Sequence, residues 1–237
     1  MTVALLTASG TGTRMGQDIP KQFLHVKDKP VIIYTLERFQ NNPQIDAIVL
    51  VTLPNWFGFV WAYAKQFGIT KLKWVVAGGE TGQESIYNGL CAIAEECDPK
   101  ETVVMVHDGN RPMVDNNMIS DSLAVYRKHG SAVAVIPCTE AVFKSDNGME
   151  SEISIPREAL FRTQTPHTYT LEKLLWAHAE AKKRGITNTA ASCTLMHALG
   201  EKVYFSKGSE KNLKLTTLDD LEIFNALLAA EKSHWLK

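Results

Sequence analysis

The 237-residue chain is poor in the features that would point away from a soluble, ligand-binding globule. It has four cysteines, Cys91, Cys97, Cys138 and Cys193. No two of them form a CxxC pair, so neither a zinc site nor a disulfide framework is indicated, and reduced thiols in a cytoplasmic protein are expected. Charge of neither sign dominates: 25 Lys and Arg stand against 26 Asp and Glu, a net of −1. No general affinity for nucleic acid or for a membrane surface follows from such a balance. No apolar run reaches the roughly 18 residues that suggest a membrane span. The opening "MTVALLTASG" lacks the basic n-region and cleavage site of a signal peptide. No 20- to 50-residue repeat and no low-complexity linker interrupt the chain.

A substantial core is present, since 45% of the residues are hydrophobic. At this length it suits one large α/β domain or two small ones. Strand-like apolar runs occur at "TVALLTA", "DAIVLVTL", "LKWVVAG", "TVVMVHDG" and "GSAVAVIP". Between them "PVIIYTLERFQ", "WFGFVWAYAKQFG", "ESIYNGLCAIAEEC" and "NNMISDSLAVYRKHG" carry a helical period. Near-continuous apolar strands alternating with helices predict a mostly parallel sheet covered on both faces. The alternation breaks at "CTEAVFKSDNGMESEISIPRE", residues 138–158, which is charged and holds an Asn147-Gly148 turn signal. It reads as a β-arm leaving the globule; a long surface loop is the alternative. Helices over "LEKLLWAHAEAKKRG" and from about Leu218 complete one domain, 1–237, wound on both sides.

Two stretches carry chemistry. The first, "LLTASGTGTRMGQDIPKQFL", leads from the first strand into a loop with Gly10, Gly12 and Gly16 and precedes a helical segment. Backbone N–H groups in that setting hold phosphate. The spacing GxGxxxG misses the dinucleotide fingerprint by one residue, and the GK[ST] of a P-loop is absent. Arg14 and Lys21 add two cations where a triphosphate would lie; solvated surface residues are the alternative. The second, "VVMVHDGNRP", puts His107 and Asp108 at the C-terminal end of a buried strand, where open α/β sheets place ligands. A carboxylate beside phosphates suits Mg²⁺; a helix or turn cap is the alternative. Arg111 is placed to clamp an anion in bidentate fashion, and His107 reads as a structural histidine.

With these residues in view, "GTGTRMG…PKQ", "GGETGQES", "VHDGNRP", "PREALFRTQTP" and "NLKLTTLDDL" stand in the order and spacing of the polyol-phosphate cytidylyltransferases. The sequence resembles both the 2-C-methyl-D-erythritol 4-phosphate and the ribitol-5-phosphate enzymes from Val3 to about Leu228, and its wording is closer to the ribitol branch. The resemblance implies a Rossmann-like nucleotidyltransferase fold, a homodimer joined through the 138–158 arm, and the transfer of CMP from CTP to a polyol phosphate. It implies that Thr7, Ala8, Ser9, Gly10, Thr11, Gly12 and Thr13 wrap the nucleotide. Arg14, Lys21 and Lys214 are implied to neutralise the phosphates, with Asp108 holding Mg²⁺. Gly78, Gly79 and Ser85 match the cytosine-reading segment, though Ser85 alone would also read as a helix N-cap. Arg111, Arg157 and Thr165 fall on the acceptor side, Arg157 reaching across from a partner.

The acceptor half departs from that pattern. "DGNRP" replaces "DAARP" or "DSVRP", Glu140-Ala141 stands for an Asp-Thr pair, and Gly82 stands for an arginine. The segment usually written "TDDAS" reads "AASCT", residues 190–194, so two small residues and a serine replace a threonine and an acidic pair. A transferase for another acceptor or another base, and a non-catalytic relative that binds nucleotide or only dimerises, are the rival readings. Intact Arg14, Lys21, Asp108 and Lys214 weigh against the non-catalytic one.

Overall fold

The computed structural model describes residues 1–10 and 19–233. The sheet forms where the apolar runs predict it. Strands β1 (Thr2–Ala8), β4 (Ala47–Thr52), β5 (Leu72–Ala77), β6 (Val103–Asp108) and β7 (Ala132–Pro137) alternate with helices α1 (Val31–Gln40), α2 (Phe57–Gln66), α3 (Gly82–Ala94) and α4 (Asn116–His129). A small hairpin of β2 (His25–Val26) and β3 (Lys29–Pro30) precedes α1. Between residues 11–18, which lie outside the described residues, and this hairpin comes a 3-10 turn, Lys21–Phe23.

Seven strands make the main sheet, in the order β11-β7-β10-β6-β1-β4-β5, where β10 is Phe161–Thr170 and β11 is Phe205–Lys207. The β1, β4, β5 and β6 pairings are parallel, as is β11 on β7. The exception is β10, which lies antiparallel between β6 and β7. The sequence pattern missed it, because "FRTQTPHTYT" alternates neither strictly nor continuously: its first three residues are exposed and the next six buried.

Side-chain alternation along β1 explains the two layers. Val3 and Leu5 join a cluster with Leu90 and Ile93 of α3 and with Leu174 and Ala177 of α5 (Leu171–Arg184). Ala4 and Leu6 join one with Leu36 and Phe39 of α1 and with Met118 and Ile119 of α4. All six residues of β4 are buried, as a strand covered on both faces requires. A third, smaller cluster seats α7 (Leu218–Ser233) through Phe224 against Val31 and Met113. The arm is a hairpin of β8 (Val142–Lys144) and β9 (Ile153–Ile155), turning at Gly148 with φ +72°. No helix among the described residues is long and apolar enough to cross a membrane.

The chain runs from β1 outward through β4 and β5, then returns to the other flank of β1 as β6. This is a topological switch, and the crevice it opens lies beyond the carboxyl ends of β1 and β6, where Thr7 pairs with Asp108. Phe39 supports that crevice from below: it is fully buried, with its ring 5.1 Å from the His107 ring. Phe39→Ala is expected to cost about 3–5 kcal/mol of unfolding free energy, the usual penalty for an emptied aromatic site. Urea denaturation checks it, and a loss below about 1 kcal/mol would show that the ring does not carry this layer.

Candidate active site

A cavity of about 440 Å³ opens over the crevice. Thr7, Ala8, Ser9 and Gly10 reach it from the end of β1, and Asp108 and Arg111 from the end of β6. Lys21, Gly79, Ser85, Thr165 and Lys214 also line it. Residues distant in sequence thus meet in one place. Arg14, Thr11, Gly12 and Thr13 lie outside the described residues. Gly78 stands just behind the wall, where an added Cβ would overlap that of Ser9. This close approach is the reason for a glycine there. Arg157 does not line the cavity of its own chain. It sits at the end of the 138–158 arm, donating to Thr139 O at 2.9 Å and lying 3.6 Å from the Glu158 carboxylate.

Asp108 is the electrostatic centre. Arg111 Nε bonds its Oδ2 at 2.8 Å and Lys214 Nζ its Oδ1 at 3.1 Å. Burial pushes the carboxyl pKa up, but Lys214 and Arg111 more than offset it and hold the group below the ordinary carboxylate range. The Asp108 carbonyl closes the turn that follows by accepting the Arg111 N–H at 3.0 Å, while its carboxylate oxygens meet side-chain cations. Arg111 Nη1 donates to Asn212 O at 2.7 Å, so with its Nε on Asp108 Arg111 also braces the site.

Amides that no pattern reading singled out place the functional groups. Gln22, 2% exposed, donates through Nε2 to Ala8 O and Gly10 O at 2.6 and 3.1 Å. It thereby ties both the strand end and the loop start to the turn that carries Lys21. Asn110 exchanges two bonds with Leu215, giving Nδ2 to Leu215 O at 2.6 Å and taking Leu215 N at 2.9 Å. Asn212 donates to Thr165 O at 2.9 Å. These contacts stitch the segment around Lys214 onto β6 and β10. All three amides lie inside quoted motifs, but nothing in the motifs marked them out from their neighbours.

Ser85 lies inside α3 with its hydroxyl fully engaged. It donates to Thr81 O at 2.9 Å, accepts Gly79 N–H at 3.0 Å and meets Ser9 Oγ at 3.0 Å. The N-cap of α3 is Thr81, so the capping alternative for Ser85 falls. Ser85 shapes the 78–81 turn and locks it to Ser9.

Thr165 Oγ1 accepts the Asp108 N–H at 3.0 Å and bonds His107 Nδ1 at 3.0 Å. His107 Nε2 lies 3.1 Å from Arg111 O. His107 is a structural histidine, as its sequence context suggested, and burial pushes its pKa down to about 4. His167, on β10 and lining the cavity, was not singled out from sequence; burial lowers it likewise to about 4, and neither ring nitrogen has a partner. Among the described residues no group of three or more His, Cys, Asp or Glu could cage a metal. A single carboxylate completed by phosphate oxygens and water still suits Mg²⁺.

The buried histidines set a pH dependence of stability. Native pKa values near 4 lie below the unfolded 6.5. Between those values the unfolded chain binds more protons, so stability falls as pH drops through the window and levels off beneath it. His167→Gln is expected to flatten this fall by up to about 1.4 kcal/mol per pH unit. Urea unfolding between pH 7 and pH 4 checks it; an unchanged slope would mean that His167 titrates normally in the fold.

Comparison with known proteins agrees with this geometry. The model of the family IspD, 2-C-methyl-D-erythritol 4-phosphate cytidylyltransferase, matches residues 2–230. The ribitol-5-phosphate cytidylyltransferase of Lacticaseibacillus paracasei is 41% identical over 230 residues, covering 96% of this chain and 98% of its own. The 2-C-methyl-D-erythritol 4-phosphate cytidylyltransferase of Clostridium acetobutylicum is 36% identical over 230 residues, with coverage of 96% and 97%. In fold, the crystal structure of 4-diphosphocytidyl-2C-methyl-D-erythritolsynthase from Anaerococcus prevotii superposes with a TM-score of 0.81 at 23% identity, covering 96% of each chain. Cavity, sheet order and full-length sequence agreement lead to one assignment: the chain belongs to the IspD family of cytidylyltransferases.

Proposed function

We propose that the protein transfers CMP from CTP to a polyol phosphate, releasing pyrophosphate, with ribitol 5-phosphate as the acceptor. The observation that carries this reading is the convergence of the Thr7–Gly10 backbone, Lys21, Asp108 and Lys214 on one cavity at the strand ends. An oxygen of the acceptor's phosphate attacks the α-phosphorus of CTP in line. The bond from the α-phosphorus to the bridging oxygen breaks, and pyrophosphate leaves with that electron pair. No side-chain nucleophile is needed, so the protein supplies position and charge. Lys21 and Arg14 are assigned to the phosphates of CTP. Lys214, hydrogen-bonded to Asp108, is assigned to the same charge cluster from the C-terminal side. Thr165, fixed between His107 and Asp108, and Arg111, which braces Asp108, define the acceptor side.

Asp108, the cavity-lining carboxylate at the end of β6, fits a divalent cation such as Mg²⁺. When bound, the ion would neutralise and orient the phosphate oxygens. Ribitol 5-phosphate is favoured over 2-C-methyl-D-erythritol 4-phosphate because the relative named for ribitol phosphate is the more similar of the two compared, 41% against 36%. The four free cysteines accord with a cytoplasmic setting.

The chain is read as one nucleotidyltransferase unit whose arm pairs two copies. Phe143 and Ile153 on the arm are 60% and 53% exposed, and Phe161 and Phe205, with rings 5.1 Å apart, are 46% and 50% exposed. Apolar side chains on a two-stranded hairpin need a partner to become buried, and a second copy of the chain supplies one by twofold symmetry. Arg157 would then serve the neighbouring subunit.

Pyrophosphate release with each of the four nucleoside triphosphates and a panel of polyol phosphates tests the reaction. CTP with ribitol 5-phosphate is expected to lead, excess EDTA to abolish turnover, and Lys21→Ala to lower kcat by ~10²–10³. A Lys21→Ala enzyme within threefold of wild type would remove Lys21 from the catalytic set.

The arm has its own test. Arg157→Ala and Lys21→Ala proteins, each impaired alone, are mixed under conditions that permit subunit exchange. A mixed dimer holds one site with both residues intact, so activity is expected to recover toward half per mixed dimer. Confirmed exchange with no recovery would place Arg157 in its own subunit or outside the reaction.

A further inference from the structure

Lys21 reaches the cavity from a slight support. Its backbone belongs to the three-residue 3-10 turn Lys21–Phe23, which has no side-chain cap. Two backbone bonds close that turn, from Phe23 N–H to Pro20 O at 2.8 Å and from Leu24 N–H to Lys21 O at 3.2 Å. A turn so short has little stability of its own, and a lysine side chain is a flexible four-carbon stem. The ammonium is therefore placed by whatever places the turn.

Two side chains of the turn tie it to the rest of the fold. Gln22 is bonded to the end of β1 and to the start of the glycine loop. Phe23, 3% exposed, lays its ring on that of Trp56, with centroids 4.1 Å apart and planes 9° from parallel. Trp56 ends a second 3-10 turn, Pro54–Trp56, which leads from β4 into α2 and contains no buried residue. Its ring also lies 5.1 Å from that of Phe59, which is 56% exposed. Lys21 and Gln22 line the cavity; Phe23 and Trp56 do not. Trp56 thus packs on the edge of the apolar layer that holds Phe23, and elsewhere such a contact would support stability alone. Here it lies two residues from a cation that must meet phosphate oxygens at hydrogen-bond distance. The bonds inside the turn carry any tilt of Phe23 into the backbone of Lys21. A misplacement of about 1 Å at a reacting centre can cost ~10²-fold in rate.

We propose that Trp56 is a positioning residue for the transfer reaction. Its ring fixes Phe23, Phe23 fixes the turn, and the turn fixes where Lys21 meets the phosphates. The proposal rests on the assignment of Lys21 to the phosphates of CTP made above, and it adds a residue that touches no substrate. The connection between β4 and α2 then takes part in the reaction through one ring stack. The charge of Lys21 counts most as negative charge moves onto the departing pyrophosphate, so disturbing the stack acts on turnover more than on binding.

A double-mutant cycle tests it. Pyrophosphate release with saturating ribitol 5-phosphate gives kcat and KM for CTP in wild type, Trp56→Ala, Lys21→Ala and the double variant, all assayed well below their thermal midpoints. Trp56→Ala is expected to lower kcat about three- to tenfold, the scale of one aromatic pair. KM for CTP is expected to move by less than about twofold, as for an interaction that counts in the transition state. Trp56→Phe, which keeps a flat ring on Phe23, is expected to recover at least about half of the wild-type kcat. With Lys21 already gone the stack has nothing left to place, so the double variant is expected within about twofold of Lys21→Ala alone. If Trp56→Ala does not fold, Trp56→Leu, which keeps apolar bulk without a flat ring, takes its place in the cycle. A Trp56→Ala kcat equal to that of wild type, or the same fold loss with and without Lys21, overturns the positioning role alone. A Lys21→Ala enzyme within about threefold of wild type removes Lys21 from the reaction and this proposal with it. A wild type that releases no pyrophosphate from CTP with any polyol phosphate overturns the transfer reading itself.

Discussion

The grip of Arg111 and Lys214 on the Asp108 carboxylate holds the site together. An ionised carboxylate at the end of a buried strand is costly unless it is paired and hydrogen-bonded. Here each oxygen has a cation, at 2.8 and 3.1 Å. Satisfying that charge recruits residues more than a hundred positions away. Lys214 must be present, so the 212–215 segment must dock, and Asn110 and Asn212 dock it. Arg111 must reach back over the turn, so its other nitrogen fastens on Asn212 O. The same carboxylate is the natural anchor for a cation among phosphates. One requirement, a buried negative charge, therefore organises both the apo structure and the place where substrates would gather.

Most of the architecture was legible because it depends on repeated patterns. β1, β4, β6 and β7 are apolar runs of six or seven residues that are mostly buried, the edge strand β5 is a half-buried one, and α1 through α5 carry clear helical periods with glycine or polar stops. What escaped has no period. The strand β10 mixes exposed and buried residues because its first part lies near the arm and its second crosses the core. The small hairpin β2–β3, the short helix α6 (Ser192–Ala198) and the edge strand β11 are too brief to show a pattern.

The site was legible where glycine and charge mark it, in Gly79, Lys21, Asp108 and Lys214, all of which meet in the cavity. It was illegible where single amides do the positioning. Gln22, Gln83 and Asn212 act through backbone carbonyls and hydroxyls brought near only by the tertiary fold. Arg111 has a second task that the motif did not announce: a spacing of three residues lets it serve its own neighbour, Asp108. The Ser85 hydroxyl likewise holds its own turn, through Thr81, Gly79 and Ser9.

The antiparallel strand β10 bears on the order in which the protein is made. β6 and β7 are consecutive parallel strands, yet they do not touch; the gap between them is filled by a strand that begins at Phe161, beyond the arm. A ribosome that has delivered everything through Pro137 has delivered two strands with open facing edges. Such edges can pair with the wrong chain, and the contacts that close them are distant in sequence and form late. Thr165, which seats His107 and the Asp108 backbone, arrives on that same late strand. The nascent chain therefore gains its last central strand together with Thr165, and the Asp108 site is completed only when Asn212 and Lys214 follow.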